Sequence, residues 1–383
     1  MKYYLISGEA SGDLHGSHLI KALKKVDPKA TFRVWGGDLM EREGAFLVKH
    51  YRELAFMGFW EVFLHLPSIL NNIAFCKKDI INYNPDVIIY IDYPGFNLRI
   101  AEWAKKKRFK NHYYISPQVW AWKENRVYKM KENLDALYVI LPFEEIFFEN
   151  EHQFSVHYVG HPLLDYIPKH PKNNSFCQDH EIESGKPIIA LLPGSRIQEI
   201  NKMLPLFVKV AKHFPGHQFV IAGAPGIRRD QYNVFTNSTS MKIVYNSTYD
   251  LLQHSTAALV TSGTATLETA LFGVPQLVCY RSSNLSYWIA KRITKLKFIS
   301  LVNLILNRSA VIELIQDSLT EENLRHHLKD LLKTSSIKKI EKEYLALKTI
   351  LGKGGASSKT AQLIFDKVRE SPLKTQNISK QTA

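Results

Sequence analysis

The sequence predicts an α/β protein of two doubly wound halves, each a parallel sheet flanked by helices, facing one another across a cleft. Three observations carry this. Short apolar runs alternate with amphipathic stretches along most of the chain. Most of the runs are continuously apolar, as strands buried on both faces should be. And 383 residues is the length of about two domains.

Taken in order, the first half offers strands at residues 3–7, 87–91, 112–115 and 137–141. The second offers them at 188–192, 218–222, 242–244, 257–261 and 276–279. Between them, residues 161–187 carry Pro162, Pro168, Pro171 and Pro187 with Asn173, Asn174 and Ser175, the composition of a linker. The expected division is a first domain over 1–165, a second over 166–370 and a polar tail over 371–383.

Composition narrows the function classes. Hydrophobic residues make up 45% and charged residues 22%, an ordinary globular balance. No apolar run reaches the roughly 18 residues a membrane span needs. The first residues hold too short an apolar stretch for a signal peptide. Cys76, Cys177 and Cys279 lie far apart, giving neither a disulfide framework nor a CxxC metal pair, and a reducing cytoplasm fits them. The formal net charge of +14 suits an anionic partner: nucleic acid, an anionic membrane or a phosphorylated substrate. A merely soluble basic surface fits it as well.

Four turns carry chemistry. Gly8-Glu9-Ala10-Ser11-Gly12-Asp13 joins the first strand to a helix. Its small residues let backbone approach a ligand, though neither GxGxxG nor GxxxxGK[ST] is present. The plainer reading is a tight turn with Asp13 as a helix cap or first-turn acid. Leu192-Pro193-Gly194-Ser195-Arg196 offers N–H groups and a guanidinium to a diphosphate, or is an ordinary turn with a solvent arginine. Ser262-Gly263-Thr264-Ala265-Thr266 opens a helix with small hydroxyl residues, an end that can hold phosphate without a metal. Glu268, one turn in, can accept hydrogen bonds from ribose, or is simply a favourable acid near a helix start. Finally, Asp92 ends the strand 87–91 before Pro94. It is placed to act as a general base, or to form an Asx-type turn.

Two further stretches suit lipid. Residues 56–64 contain Met57, Phe59, Trp60 and Phe63. Residues 287–298 set Trp288 beside Lys291, Arg292 and Lys295. Aromatics beside basic residues fit a bilayer interface, whereas the first stretch is equally readable as a core helix and the second as a dimer contact. The sequence has no Asp-x-Asp and no HExxH, so it gives no support for a resident metal.

SGEASGD, AFMGFWEV, PDVIIYIDYPGFN, YISPQVWAW, VGHPL, LLPGSR, SGTATLE and YRSSNLSYWIAKRI running into ISLVNLI occur in this order over nearly the whole chain. In these segments the chain resembles the lipid-A-disaccharide synthase family. The resemblance implies a glycosyltransferase-B architecture with the nucleotide mainly on the second half. The implied reaction joins UDP-2,3-diacylglucosamine to 2,3-diacylglucosamine 1-phosphate, giving a β-1′,6-linked tetraacyl disaccharide 1-phosphate and UDP. The anomeric carbon inverts, and neither metal nor cofactor takes part.

The resemblance further implies attachment to the anionic inner face of the inner membrane. It also implies a homodimer with exchanged C-terminal elements, which puts Tyr280, Arg281 and Asn303 near the other subunit's site. On the acceptor side the candidates are Ser11, Gly12, Asp13, Gln118 and Trp120. Gly194, Ser195, Arg196, Ser262, Gly263, Thr264, Thr266 and Glu268 are the nucleotide candidates. Asp92 is the first choice for the base and Glu9 the second.

A UDP-sugar epimerase shares the fold class but needs no lipid-facing stretch. A nucleic-acid-binding protein would use residues 287–298 but leave the nucleotide turns idle. The expectation is therefore a glycosyltransferase with no nucleic-acid partner.

Overall fold

A computed structural model of the chain describes residues 1–54, 66–236, 239, 241–282 and 296–370. Met57, Phe59, Trp60, Phe63, Trp288, Lys291, Arg292 and Lys295, with the tail 371–383, lie outside the described residues.

The first half contains β1 (Lys2–Ile6), α1 (Ala10–Val26), β2 (Thr31–Gly36), α2 (Asp38–Arg42), β3 (Phe46–His50) and α3 (Leu66–Tyr83). It continues with β4 (Val87–Ile91), α4 (Pro94–Lys106), β5 (Asn111–Tyr114), α5 (Arg126–Asn133), β6 (Ala136–Val139), α6 (Pro142–Ile146) and β7 (His157–Tyr158). Its seven strands are parallel, in the order β3-β2-β1-β4-β5-β6-β7.

After the short helices α7 (Leu163–Tyr166) and α8 (Phe176–Asp179), the second half begins with β8 (Ile188–Leu192), α9 (Ile197–Ala211), β9 (Gln218–Gly223), α10 (Asp230–Thr236) and β10 (Lys242–Tyr245). It proceeds through α11 (Thr248–His254), β11 (Ser255–Thr261), α12 (Thr264–Leu271), β12 (Gln276–Tyr280), α13 (Leu301–Leu306), β13 (Ile312–Ile315), α14 (Glu321–Leu331) and α15 (Thr334–Leu351). Its six parallel strands run β10-β9-β8-β11-β12-β13.

In each sheet the winding reverses once, between β1 and β4 and between β8 and β11. Loops leaving two such neighbours diverge to opposite faces and open a crevice at the strands' C-terminal ends, where ligands of open α/β sheets bind. All four chemistry-bearing turns leave these four strands. The topology thus gathers segments that are up to about 250 residues apart in sequence.

The central strands β1, β4, β8 and β11 are buried almost throughout, which is why their sequences are near-continuous apolar runs. One apolar core runs through both halves. A second packs the other face of the first sheet, around Trp35, Tyr90 and Phe148. A third packs the other face of the second sheet. Phe176, within the predicted linker, is fully buried in that third core, so residues 161–187 are partly docked rather than a free tether.

The last helix among the described residues, α16 (Ala356–Glu370), returns to the first half and packs along α1. The division expected from the sequence places these residues in the second half. Asp165 caps the helix start, accepting hydrogen bonds from the N–H groups of Gly355, Ala356 and Ser357. Among the described residues, no helix is long and apolar enough to cross a membrane.

Candidate functional site

The first and fourth turns are built against each other. A Cβ at Gly8 would stand 2.4 Å from the Tyr93 ring, and one at Gly12 would stand 2.7 Å from the Ser7 Cβ. Glycine therefore lets the β1–α1 turn lie flat on the β4–α4 turn and brings Glu9 beside Asp92. Ser11 is half-buried in the first turn of α1, and Gly12 is buried. The Asp13 carboxylate accepts from the N–H groups of Gly37 (2.8 Å), Met40 (3.0 Å) and Leu39 (3.1 Å), so its oxygens hold the start of α2.

Asp92 and Tyr93 both have left-handed backbone, with φ of 45° and 52°. Such conformations are costly for non-glycine residues and persist only where the surroundings enforce them. Here the Asp92 carbonyl is clasped by two donors, Asn97 Nδ2 at 2.6 Å and the Tyr113 hydroxyl at 2.5 Å, while Pro94 starts α4. The side chain opens to water in the cleft, yet protein crowds it on its other sides. That loss of water, reinforced by the Glu9 charge, pushes its carboxyl up to about 6, against the pull of the Tyr93 N–H and Arg196.

A further acid lies on this side. Glu144, buried in the first turn of α6, accepts from the N–H groups of Ile140 (3.0 Å) and Leu141 (2.9 Å) and from the Trp120 indole (3.2 Å). Burial pushes it up to about 7 despite these donors, and the Asp92 charge adds to the rise. Trp120 also stands edge-on to Phe143 at 4.9 Å. The 117–122 loop is thereby anchored through Trp120, while Gln118 projects into solvent. Glu144 was missed from sequence. Its mark there is an acid two residues after the proline that opens a helix.

In the second half, Gly194 has φ of +117°, and a Cβ there would meet the Glu199 carboxylate at 2.4 Å. Glu199 accepts from the N–H groups of Ser195 (3.0 Å) and Arg196 (3.2 Å). The predicted diphosphate cradle is thus held by the chain's own carboxylate, a residue the sequence reading did not single out. The Arg196 guanidinium reaches across the cleft to Glu9, at 3.1 Å.

At the start of α12, Gly263 and Thr264 stand exposed, where the first N–H groups of a helix have no intrahelical acceptor. Ser262 is tied to the Ile299 carbonyl (2.9 Å) and Thr266 to the Gly263 carbonyl (2.8 Å). Glu268 accepts from the Tyr249 hydroxyl at 2.8 Å, and burial raises its pKa above the usual carboxylate range. Tyr249 stacks on Tyr166, and Tyr166 on His18 of α1, so an aromatic column joins the halves behind the site.

The remaining candidates lie on and beyond β12, the strand beside β11. Tyr280 ends β12. Arg281 donates to the carbonyls of Gln316 and Leu319. Asn303 is fully buried. It donates to the Val311 carbonyl and Glu313 and accepts from the N–H groups of Ala310 and Val311.

The family model described as "Lipid-A-disaccharide synthetase" matches residues 3–367. Curated relatives named lipid-A-disaccharide synthase include one from Coxiella burnetii (strain CbuG_Q212), 35% identical over 94% of this chain and 97% of its own length. Another, from Pseudomonas putida (strain GB-1), is 38% identical over 87% of this chain and 90% of its own. Among solved structures, UDP-GlcNAc 2-epimerase from Neisseria meningitidis bound to UDP-GlcNAc superposes with a TM-score of 0.67, covering 96% of this chain and 100% of that one at 13% identity. A glycosyltransferase from Rickettsia africae ESF-5 gives 0.58, covering 97% and 99% at 12% identity. At such identities these two speak to the fold, which is of the glycosyltransferase-B type.

Proposed function

The chain belongs to the lipid-A-disaccharide synthase family, and from that premise we propose a specific reaction for this glycosyltransferase of lipid A biosynthesis. It transfers 2,3-diacylglucosamine from its UDP derivative to 2,3-diacylglucosamine 1-phosphate. The products are UDP and the β-1′,6-linked tetraacyl disaccharide 1-phosphate, with inversion at the anomeric carbon.

The observation that carries this reading is the Glu9–Arg196 pair, 3.1 Å across the cleft. It sets the acids of one switch point within side-chain reach of the phosphate-suited turns of the other. An inverting transfer needs that proximity: a base on the acceptor hydroxyl on one side, and stabilisation of the departing diphosphate on the other.

Asp92 takes the hydroxyl proton as the oxygen attacks the anomeric carbon from the face opposite UDP. Its raised pKa leaves it ionised at neutral pH yet more basic than an ordinary carboxylate. Glu9 orients Arg196, and is the alternative base. The open N–H groups at the start of α12 and the Arg196 guanidinium take up the charge growing on UDP without a metal. Glu268 exchanges its Tyr249 hydrogen bond for the ribose hydroxyls.

The apolar segment at 56–64 and the basic, aromatic segment at 287–298 hold the protein on an anionic membrane face, where both lipid substrates reside. Two copies pair with exchange of C-terminal elements, and each brings Tyr280 and Arg281 to the edge of the other's site. Asn303, enclosed in its own chain, shapes the segment beside them.

The test is incubation with the two diacylglucosamine substrates and mass spectrometry of the products. Stoichiometric UDP and tetraacyl disaccharide 1-phosphate are expected. Release of free sugar or an epimer in place of the disaccharide would overturn the reading.

A further inference from the structure

Among the described residues, one group of three metal-ligating side chains converges, away from the turns discussed above: Glu124, Glu151 and His152. Glu124 follows the 117–122 loop and precedes α5. Glu151 closes a wide, π-helical turn over Phe147–Glu151, and His152 comes next. One ligand atom from each lies within 4.8 Å of the others.

The histidine gives the group its direction. Its side chain is 7% exposed, and its ring is fixed edge-on to Phe147 at 4.8 Å and to Tyr128 at 6.0 Å. The buried Nε2 has no hydrogen-bond partner, although Glu124 Oε1 stands only 3.3 Å away. A buried nitrogen that meets a carboxylate without forming a hydrogen bond to it is costly, and native structures seldom keep one without a reason.

The spacing supplies a reason. Two ligands each 2.0–2.1 Å from a tetrahedral ion stand about 3.4 Å apart, so Nε2 and Oε1 already form one edge of such a site. Glu124 and Glu151 are exposed, which leaves the outer coordination positions to water. Lys131 donates to the backbone carbonyl of His152.

We propose that Glu124, Glu151 and His152 bind a divalent transition-metal ion of the zinc type. An imidazole with two carboxylates is a donor set such ions favour. The ion ties the loop that carries Trp120 to the turn after α6, and it takes no part in the sugar transfer.

Titration of the metal-stripped full-length chain with Zn²⁺, without substrates, tests this by calorimetry and by thermal unfolding. One saturable site per chain is expected, with a rise in Tm on saturation. Glu124→Gln, Glu151→Gln and His152→Asn should each weaken it at least about tenfold, since even outer-shell partners of metal ligands are worth that much. His152→Asn also removes packing, so the exposed Glu151→Gln decides if the histidine variant fails to fold. No saturable binding by the parent would leave the group as a His152–Glu124 ion pair only and overturn the proposal. Equal affinity in parent and Glu151→Gln would also overturn it, placing the ion elsewhere among the chain's 15 histidines.

Discussion

At the scale of single residues, Asp92 concentrates the argument. Asn tolerates left-handed backbone better than most residues and carries no charge that burial penalises. Asp92→Asn should therefore keep the fold and raise Tm at pH 8, while lowering kcat by about 10²–10⁴-fold, the usual cost of losing a general base. UDP affinity should stay at the parent value. The sign in pH follows from the raised pKa. The base works ionised, so kcat/KM should fall as pH drops through about 6, the value to which Asp92 is pushed. Parent-like turnover by the Asn variant would move the role to Glu9, with Glu9→Gln run alongside. The carboxylate's place at a strand end was legible in the sequence. Its strained turn was not, because nothing local marks Tyr93 for positive φ; the constraint comes from Asn97 and Tyr113, the second of which lies on another strand. Glu199 was overlooked for a similar reason, since a carboxylate four residues beyond Ser195 reads as an ordinary first-turn acid.

At the scale of elements, the predicted strands are all present to within two residues at their ends. They are the interior strands other than β2, together with β10, whose run is short but apolar. Those that escaped notice, β2, β3, β7 and β13, mostly border the sheets and interleave polar residues. Arg33 in β2 is paired with Asp79, and Glu313 in β13 binds the N–H groups of Ile299 and Ser300. An apolar-run criterion passes over such strands, since edges are half-solvated and mixed in character. The turns yield two predictions. Gly194→Ala places a Cβ against Glu199 at a φ of +117° and should cost about 1–3 kcal/mol of stability, read as a lower Tm, with weaker UDP binding. Glu268→Ala should weaken UDP binding roughly tenfold or more, by about 1.5–3 kcal/mol, as loss of hydrogen bonds to an ionised partner does. Calorimetry reads both. Unchanged UDP affinity in a folded Glu268→Ala protein would leave Glu268 as a partner of Tyr249 alone.

At the scale of the whole molecule, the charge of +14 should act through the membrane. Reversing Lys291, Arg292 and Lys295 should reduce co-sedimentation with anionic vesicles, most at low salt where screening is weak. Phe59→Ser with Trp60→Ser should reduce it at every salt concentration. Parent-like binding by both variants would assign these segments to contacts within or between chains. Turnover should also survive exhaustive chelation, even if Tm falls; a loss restored only by Mg²⁺ or Mn²⁺ would exclude a leaving group held by N–H groups and Arg196. Finally, the return of α16 to the first half means that the chain passes between the halves twice, near Tyr166 and again near Gly352–Gly355. Asp165 binds the two passages to each other. A single tether would let the halves swing, twist and slide. Two passages fastened side by side restrict the relative motions of the halves more than one tether does, and they hold Arg196 in register with Glu9 across the cleft.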